Sequence, residues 1–170
     1  GSSDNEDFTI GKAASVTTVT ISGAPFIYTG SAITPASVTV TGAGGLSLSP
    51  TEVIYTNNIN AGTANAAYTY AGDDNHFGSS DNEDFTIGKA ASVTTVVVAD
   101  AIYDGAQHGA TASVTGDGGL SESLTVTYEG VAPTVYLAST TAPTNAGTYK
   151  ASASYSGDAN HDGSSDSKNF

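Results

Sequence analysis

Asp158-Ala159-Asn160-His161-Asp162-Gly163 puts oxygen-bearing side chains at alternate positions ahead of a glycine. That spacing opens an EF-hand-type loop, in which hard oxygen ligands wrap a Ca2+ ion around a glycine turn. The candidate ligands are Asp158, Asn160, Asp162 and Asp166. The twelfth position, where the loop wants a bidentate Glu, holds Asn169, and no flanking helices are expected. An earlier stretch, Asp73-Asp74-Asn75-His76-Phe77-Gly78, offers Asp73, Asp74 and Asn75, with Phe77 at the third ligand position. Turn geometry explains the same letters, because Asn, Asp and Gly close hairpin tips. That reading outweighs the metal.

Other groups that could do chemistry are dispersed. Asp4, Glu6 and Asp7, then Asp81, Glu83 and Asp84, then Asp100 and Asp104 gather near junctions. They could bridge neighbouring modules through Ca2+, or act as a solvated edge that resists sheet-to-sheet sticking. The edge reading is the stronger. His76 and His161 occupy equivalent tips and His108 stands alone; such spacing makes no zinc site, and surface turn histidines are expected. No G-x-S-x-G elbow marks a nucleophile. The glycine-rich stretches 42–45 and 116–119 open no helix, so they read as hairpin turns rather than phosphate loops. No Asn begins an N-x-Ser/Thr acceptor.

The elements that must position these residues come in copies. Residues 1–19 return unchanged as 78–96, and Gly163-Ser164-Ser165-Asp166 repeats Gly1 to Asp4. Spacings of 77 and 85 residues describe a piece of a tandem array. Further pairs follow: Ile27-Tyr28-Thr29-Gly30 with Ile102-Tyr103-Asp104-Gly105, Asn60-Ala61-Gly62-Thr63 with Asn145-Ala146-Gly147-Thr148, and Tyr70 to His76 with Tyr155 to His161. Residues 1–12 therefore read as the last strand of a preceding or neighbouring module, 13–88 as one β module, and 89–170 as a second. The second carries an 11-residue insertion near 129–142, either a longer loop or one extra strand.

Strands are expected at 16–21, 25–30, 37–41, 52–55, 63–71 and 84–87, with a loop at 57–62 and a tip at 72–78. Period-two alternation over 148–155 puts Tyr149, Ala151, Ala153 and Tyr155 on one face. The matched stretch puts Ala64, Ala66, Tyr68 and Tyr70 inward. Small Ala between Tyr rings suits a narrow two-layer core.

Composition narrows the function. Seventeen acids face four lysines, and the net charge is −13. That balance excludes nucleic acid, whose phosphates need cations, and anionic membrane surfaces. No apolar run approaches the ~20 residues of a spanning helix. No cysteine is present, so neither disulfides nor thiolate metal sites contribute. The Thr, Val and Tyr bias with Gly and Asn punctuation predicts an all-β fold of two small antiparallel modules, beads on a string. Near-identical copies suit a structural array better than an enzyme, which needs one site.

The order Ile-Tyr-x-Gly, Val-Thr-Gly-x-Gly-Gly-Leu-Ser, Asn-Ala-Gly-Thr, Tyr-x-Gly-Asp-x-Asn-His and Phe-Thr-Ile-Gly-Lys-Ala resembles bacterial cell-surface and adhesin tandem repeats of the Ig-like and MBG (β-grasp-like) type. Ala64, where the second copy has Tyr149, departs from it. The resemblance implies an Ig-like sandwich or a mostly-β grasp-like sheet, an extracellular or cell-surface location, and no catalysis. It implies a structural module of a fibre, stalk or sheath, whose partner is itself, joined head to tail covalently or by strand complementation through residues 1–10. Its alternative is an adhesin module that binds a glycan or surface protein through loop tips and the insertion, with Tyr136 the best contact, although a core role for Tyr136 is the stronger reading. Lys12, Lys89 or Lys150 could form the Lys–Asn isopeptide cross-link of some such modules, but no motif selects a triad.

Overall fold

A computed structural model describes Gly1 and residues 3–170. The fold is all-β and holds no α-helix among the described residues. The strands are β1 (Ser15–Ile21), β2 (Phe26–Ile27), β3 (Ala36–Gly42), β4 (Leu46–Leu48), β5 (Ile54–Thr56), β6 (Gly62–Tyr70), β7 (Ser79–Gly88), β8 (Ser92–Val97), β9 (Thr111–Gly116), β10 (Leu120–Ser123), β11 (Thr127–Gly130), β12 (Tyr149–Tyr155) and β13 (Ser164–Asn169). They build four antiparallel sheets, ordered β1-β3-β4, β2-β7-β6-β5, β10-β9-β8 and β11-β12-β13.

The chain divides into two compact units. The first comprises Gly1–Phe26, Ile33–Asn58 and Thr63–Thr86. The second comprises Ile27–Ala32, Ile59–Gly62 and Ile87–Phe170, so it includes two short stretches from the first repeat.

Alternation decides each core. In the first unit β1 and β3 pair in the register Val19↔Val38, Thr17↔Val40, and these four side chains are buried while their neighbours face out. Ala64 and Ala66 on β6 and Phe85 on β7 are buried on the facing sheet. Phe85 meets Phe26 and Tyr55 edge-on, with ring centroids 5.4 and 6.4 Å apart. In the second unit Val96 and Ala112 from one sheet pack on Tyr128, Ala151 and Ala153 from the other and on Val126, which leads into β11. Alanines between tyrosines let two sheets approach closely, and the inward faces read from alternation are the buried ones at Ala64, Ala66, Tyr149, Ala151 and Ala153.

Four points refine the expected elements. Residues 3–12 form no strand, and Phe8 and Ile10 are 85% and 87% exposed. Their identical copies Phe85 and Ile87 are buried because β7 lies between β2 and β6. A strand needs partners for its backbone as well as alternating letters. Second, β7 begins at Ser79, well ahead of the expected 84–87, since its polar start pairs backbone and hydroxyl groups rather than apolar ones. Third, Leu46–Leu48 and Leu120–Ser123 are strands that close hairpins across the 3-10 turns Ala43–Gly45 and Asp117–Gly119. Fourth, the insertion is a loop. It is tied down by an isolated bridge between Tyr128 and Ser139, and no strand is added.

Candidate functional site

Each tip that could have held a metal is a histidine clasp. In the first unit Asp73 Oδ1 accepts the backbone N–H groups of Asn75 (2.8 Å) and His76 (2.7 Å), which closes an Asx turn. The Tyr70 hydroxyl donates to Asp73 Oδ2 at 2.8 Å. His76 Nδ1 lies 2.9 Å from Asp73 Oδ1, and its Nε2 lies 2.8 Å from the Ala43 carbonyl oxygen. The imidazole thus pins the tip of β6–β7 to the 3-10 turn that follows β3. Backbone completes the clasp, with Ala13 N–H donating to the Asn75 carbonyl and Phe77 N–H to the Ala13 carbonyl, both at 2.8 Å. The Lys12 ammonium donates to the Asp73 carbonyl.

The second unit repeats the Asx turn, the imidazole contacts and the lysine. Asp158 Oδ1 accepts from Asn160 N–H (2.7 Å) and His161 N–H (2.6 Å), and His161 Nε2 reaches the Asp117 carbonyl at 2.7 Å. His161 Nδ1 stands 3.0 Å from Asp158 Oδ1, and the Lys89 ammonium donates to the Asp158 carbonyl. Both histidines are buried, against the expectation of surface turn residues. The signal that could have found them is Asp-x-x-His directly after Tyr-x-Gly in both copies.

The clasp's chemistry is electrostatic. Both ring nitrogens face acceptors, so only the imidazolium satisfies both. The Ala43 carbonyl and then Asp73 raise the His76 pKa, and the Asp117 carbonyl and then Asp158 do so for His161 against the opposing effect of burial. The Tyr70 hydroxyl and the Asx-turn amides hold Asp73 far below the ordinary carboxylate range. Burial would raise Asp158, but Asn160 N–H, Tyr155 and His161 outweigh it and bring the group to about 2. An imidazolium held this way has no free lone pair and cannot serve as a general base.

A pH dependence follows. The histidine contribution is complete below the unfolded value of about 6.5 and disappears as pH rises through the raised folded value. The aspartate contribution is present above about 4 and disappears as pH falls through the depressed values. Stability set by the clasps is therefore greatest between roughly pH 4 and 6.5. Urea midpoints from pH 3 to 9 should fall on the alkaline side, and the His76→Gln/His161→Gln double variant should lose that alkaline slope. A slope unchanged in the double variant would exclude the clasps as its origin.

A second paired device lies beside the first. Asp81 Oδ2 accepts the Val19 N–H and Asp166 Oδ2 the Val96 N–H, both at 2.8 Å. The Val96 N–H is the main reason the Asp166 carboxyl lies below its ordinary range. Ser79 bridges Ser15 and Thr17 (2.8 and 2.7 Å), and Ser164 bridges Ser92 and Thr94, both at 2.8 Å. Asp81, read as part of a solvated edge, and Asp166, read as a Ca2+ ligand, are thus latches between sheets.

Among the described residues, no three His, Cys, Asp or Glu side chains converge as metal ligands. The sequence-selected oxygens point to separate protein donors. Asp73 and Asp158 serve their turns, Asp166 serves Val96, and Asn160 meets Asn60 and Ala61. Asp74 and Asn75 are exposed. His108 pairs with Asp104 at 3.0 Å, away from either clasp. Tyr136 in the insertion packs edge-on against Tyr149 (5.6 Å) and donates to the Thr141 carbonyl (2.7 Å), so it anchors the loop. Lys150 pairs with Glu129 at 3.3 Å. Comparison with family models, with curated proteins and with solved structures gives no match.

Proposed function

We propose that the chain is a structural repeat module of an extracellular bacterial fibre, stalk or sheath, of the Ig-like and MBG type, that joins its neighbours head to tail. The observation that carries this reading is duplication of the interior: the Asp–His clasp, the Asp latch and the serine bridge occur twice from repeated residues at nearly equal distances. Selection for one catalytic or ligand site leaves two copies free to diverge, whereas an array needs equivalent parts. The histidines most open to a catalytic interpretation are occupied on both nitrogens. The reading assigns no catalysis and no resident cofactor.

One observation favours the adhesive alternative. On the insertion, Val135 and Leu137 are 92% and 86% exposed on either side of the anchored Tyr136. Two exposed apolar side chains on a pinned loop suit contact with a glycan ring or a surface protein.

Negative-stain microscopy of the purified protein, with and without chelator, tests the structural reading. Filaments with a regular axial period are expected in both samples, because protein donors already serve the acids. Single particles, together with glycan-array binding lost in Val135→Ser/Leu137→Ser, would replace it with the adhesive one.

A further inference from the structure

The second unit holds a docked contact whose two faces recur elsewhere on the chain without a partner. Within that unit the Tyr28 ring meets the His161 ring edge-on, with centroids 5.3 Å apart and planes at 84°. Gly118 lies under the same phenol, where an added Cβ would fall 2.5 Å from Tyr28 Cε1. An added Cβ on Gly30 would fall 2.7 Å from Gly118 Cα. Ala61 N–H donates to Asn160 Oδ1 at 2.9 Å, and Asn160 Nδ2 donates to Asn60 Oδ1 at 3.2 Å. One face is therefore a plug, Tyr28, Gly30, Asn60 and Ala61. The other is a seat, Gly118, Asn160 and His161.

The repeat copies both faces. Tyr103, Gly105, Asn145 and Ala146 reproduce the plug, and Gly44, Asn75 and His76 reproduce the seat. Both copies are open. Tyr28 is 9% exposed but Tyr103 is 61% exposed. An added Cβ on Gly44 or Gly105 would meet nothing within 4 Å, unlike those on Gly118 and Gly30. Asn75 is exposed where Asn160 is half-buried. Tyr103, Asn145 and Ala146 line one groove of about 290 Å³ floored by Tyr149 and Phe170, so the second plug is already assembled. Its seat is assembled too, because the clasp fixes His76 against Ala43 as it fixes His161 against Asp117. Flanking charge divides: Ala43 replaces Asp117 beside the seat and removes an acid, whereas Asp104 replaces Thr29 beside the plug and the exposed Asp74 replaces Ala159 beside Asn75, so the contact should strengthen as salt screens these two acids.

We infer that the Tyr103, Gly105, Asn145 and Ala146 face docks on Gly44, Asn75 and His76 of a second copy of this chain. The two faces differ, so the contact is heterologous and does not cap itself; each docking leaves a plug at one end and a seat at the other. The inference rests on the head-to-tail reading above and gives that reading a surface. Tyr, with Trp and Arg, is enriched among the residues that dominate such contacts.

Sedimentation velocity of the full chain tests it, with Tyr103→Ala disabling the plug and Asn75→Ala the seat. Both side chains are exposed, and circular dichroism checks that the variants keep the fold. The wild type should associate past dimer as concentration rises, and each variant should associate at least about tenfold more weakly. An equimolar mixture of the variants retains one good plug and one good seat, so it should stop at heterodimers. Association that persists in both variants would overturn this face and leave head-to-tail assembly standing through another surface, such as strand addition by residues 1–10. A wild type that stays monomeric at every concentration would overturn the docking itself, while the fibre reading remains to be judged by microscopy of material joined covalently.

Discussion

Tyr128→Ala should cost about 3–5 kcal/mol, enough to unfold the second unit near room temperature. Tyr128 is 4% exposed at the centre of the second core, against Val96, Val126, Ala151 and Ala153. Its ring meets Phe170 edge-on at 6.2 Å. Its hydroxyl accepts the Ala110 N–H at 2.8 Å, and its backbone pairs with Ser139 to hold the insertion. Alanine removes the ring from a core of small residues that cannot collapse into the space. Phenylalanine keeps the ring but leaves the Ala110 N–H and carbonyl oxygen without the hydroxyl, which costs about 1–3 kcal/mol. Urea denaturation of both variants should rank Ala well below Phe. Equal losses would mean that the hydrogen bond, not the ring, is what counts. Tyr55 makes the matching bond to Ala36 N–H at 3.0 Å, so the first unit should show the same ranking.

Gly157→Ala and Gly72→Ala come next in size. Both glycines turn the chain into a clasp with φ of +85° and +88°. A left-handed backbone alone costs a side-chain-bearing residue about 1–2 kcal/mol. Here a Cβ would also fall 2.7 Å from the carbonyl oxygen of the clasp histidine, His161 or His76, and 3.0 or 2.9 Å from the amide nitrogen of Gly163 or Gly78. Backbone cannot swing aside as a side chain can, so the loop must open and the imidazole must leave its carbonyl. Gly105→Ala is the internal control, with φ of +80° and nothing within 4 Å of its Cβ. It should show the backbone cost only. Thermal melts that place all three together would show that the clasp loop yields freely.

Those glycines mark where sequence was readable and where it was not. The repeat, the period-two faces and the glycine turns follow from letters alone, because alternation around Ala151 and Ala153 has one sensible interior. The clasps do not. Asp-x-Asn-x-Asp-Gly is equally a metal loop and a turn, and the carbonyls that capture His76 and His161 come from Ala43 and Asp117, whose side chains say nothing about it. Asp81 looked like solvated charge and Asp166 like a Ca2+ ligand because a latch to a backbone N–H leaves no mark on the partner's identity. Residues 3–12 show the converse. Letters identical to those of β7 remain irregular where no sheet edge receives them.

The most direct measurement of the account is microscopy of wild-type protein beside Tyr103→Ala under one set of conditions. Regular filaments from the wild type, and isolated particles from a folded Tyr103→Ala, are the predicted result. Filaments of the same period from both, or particles from both, would contradict it.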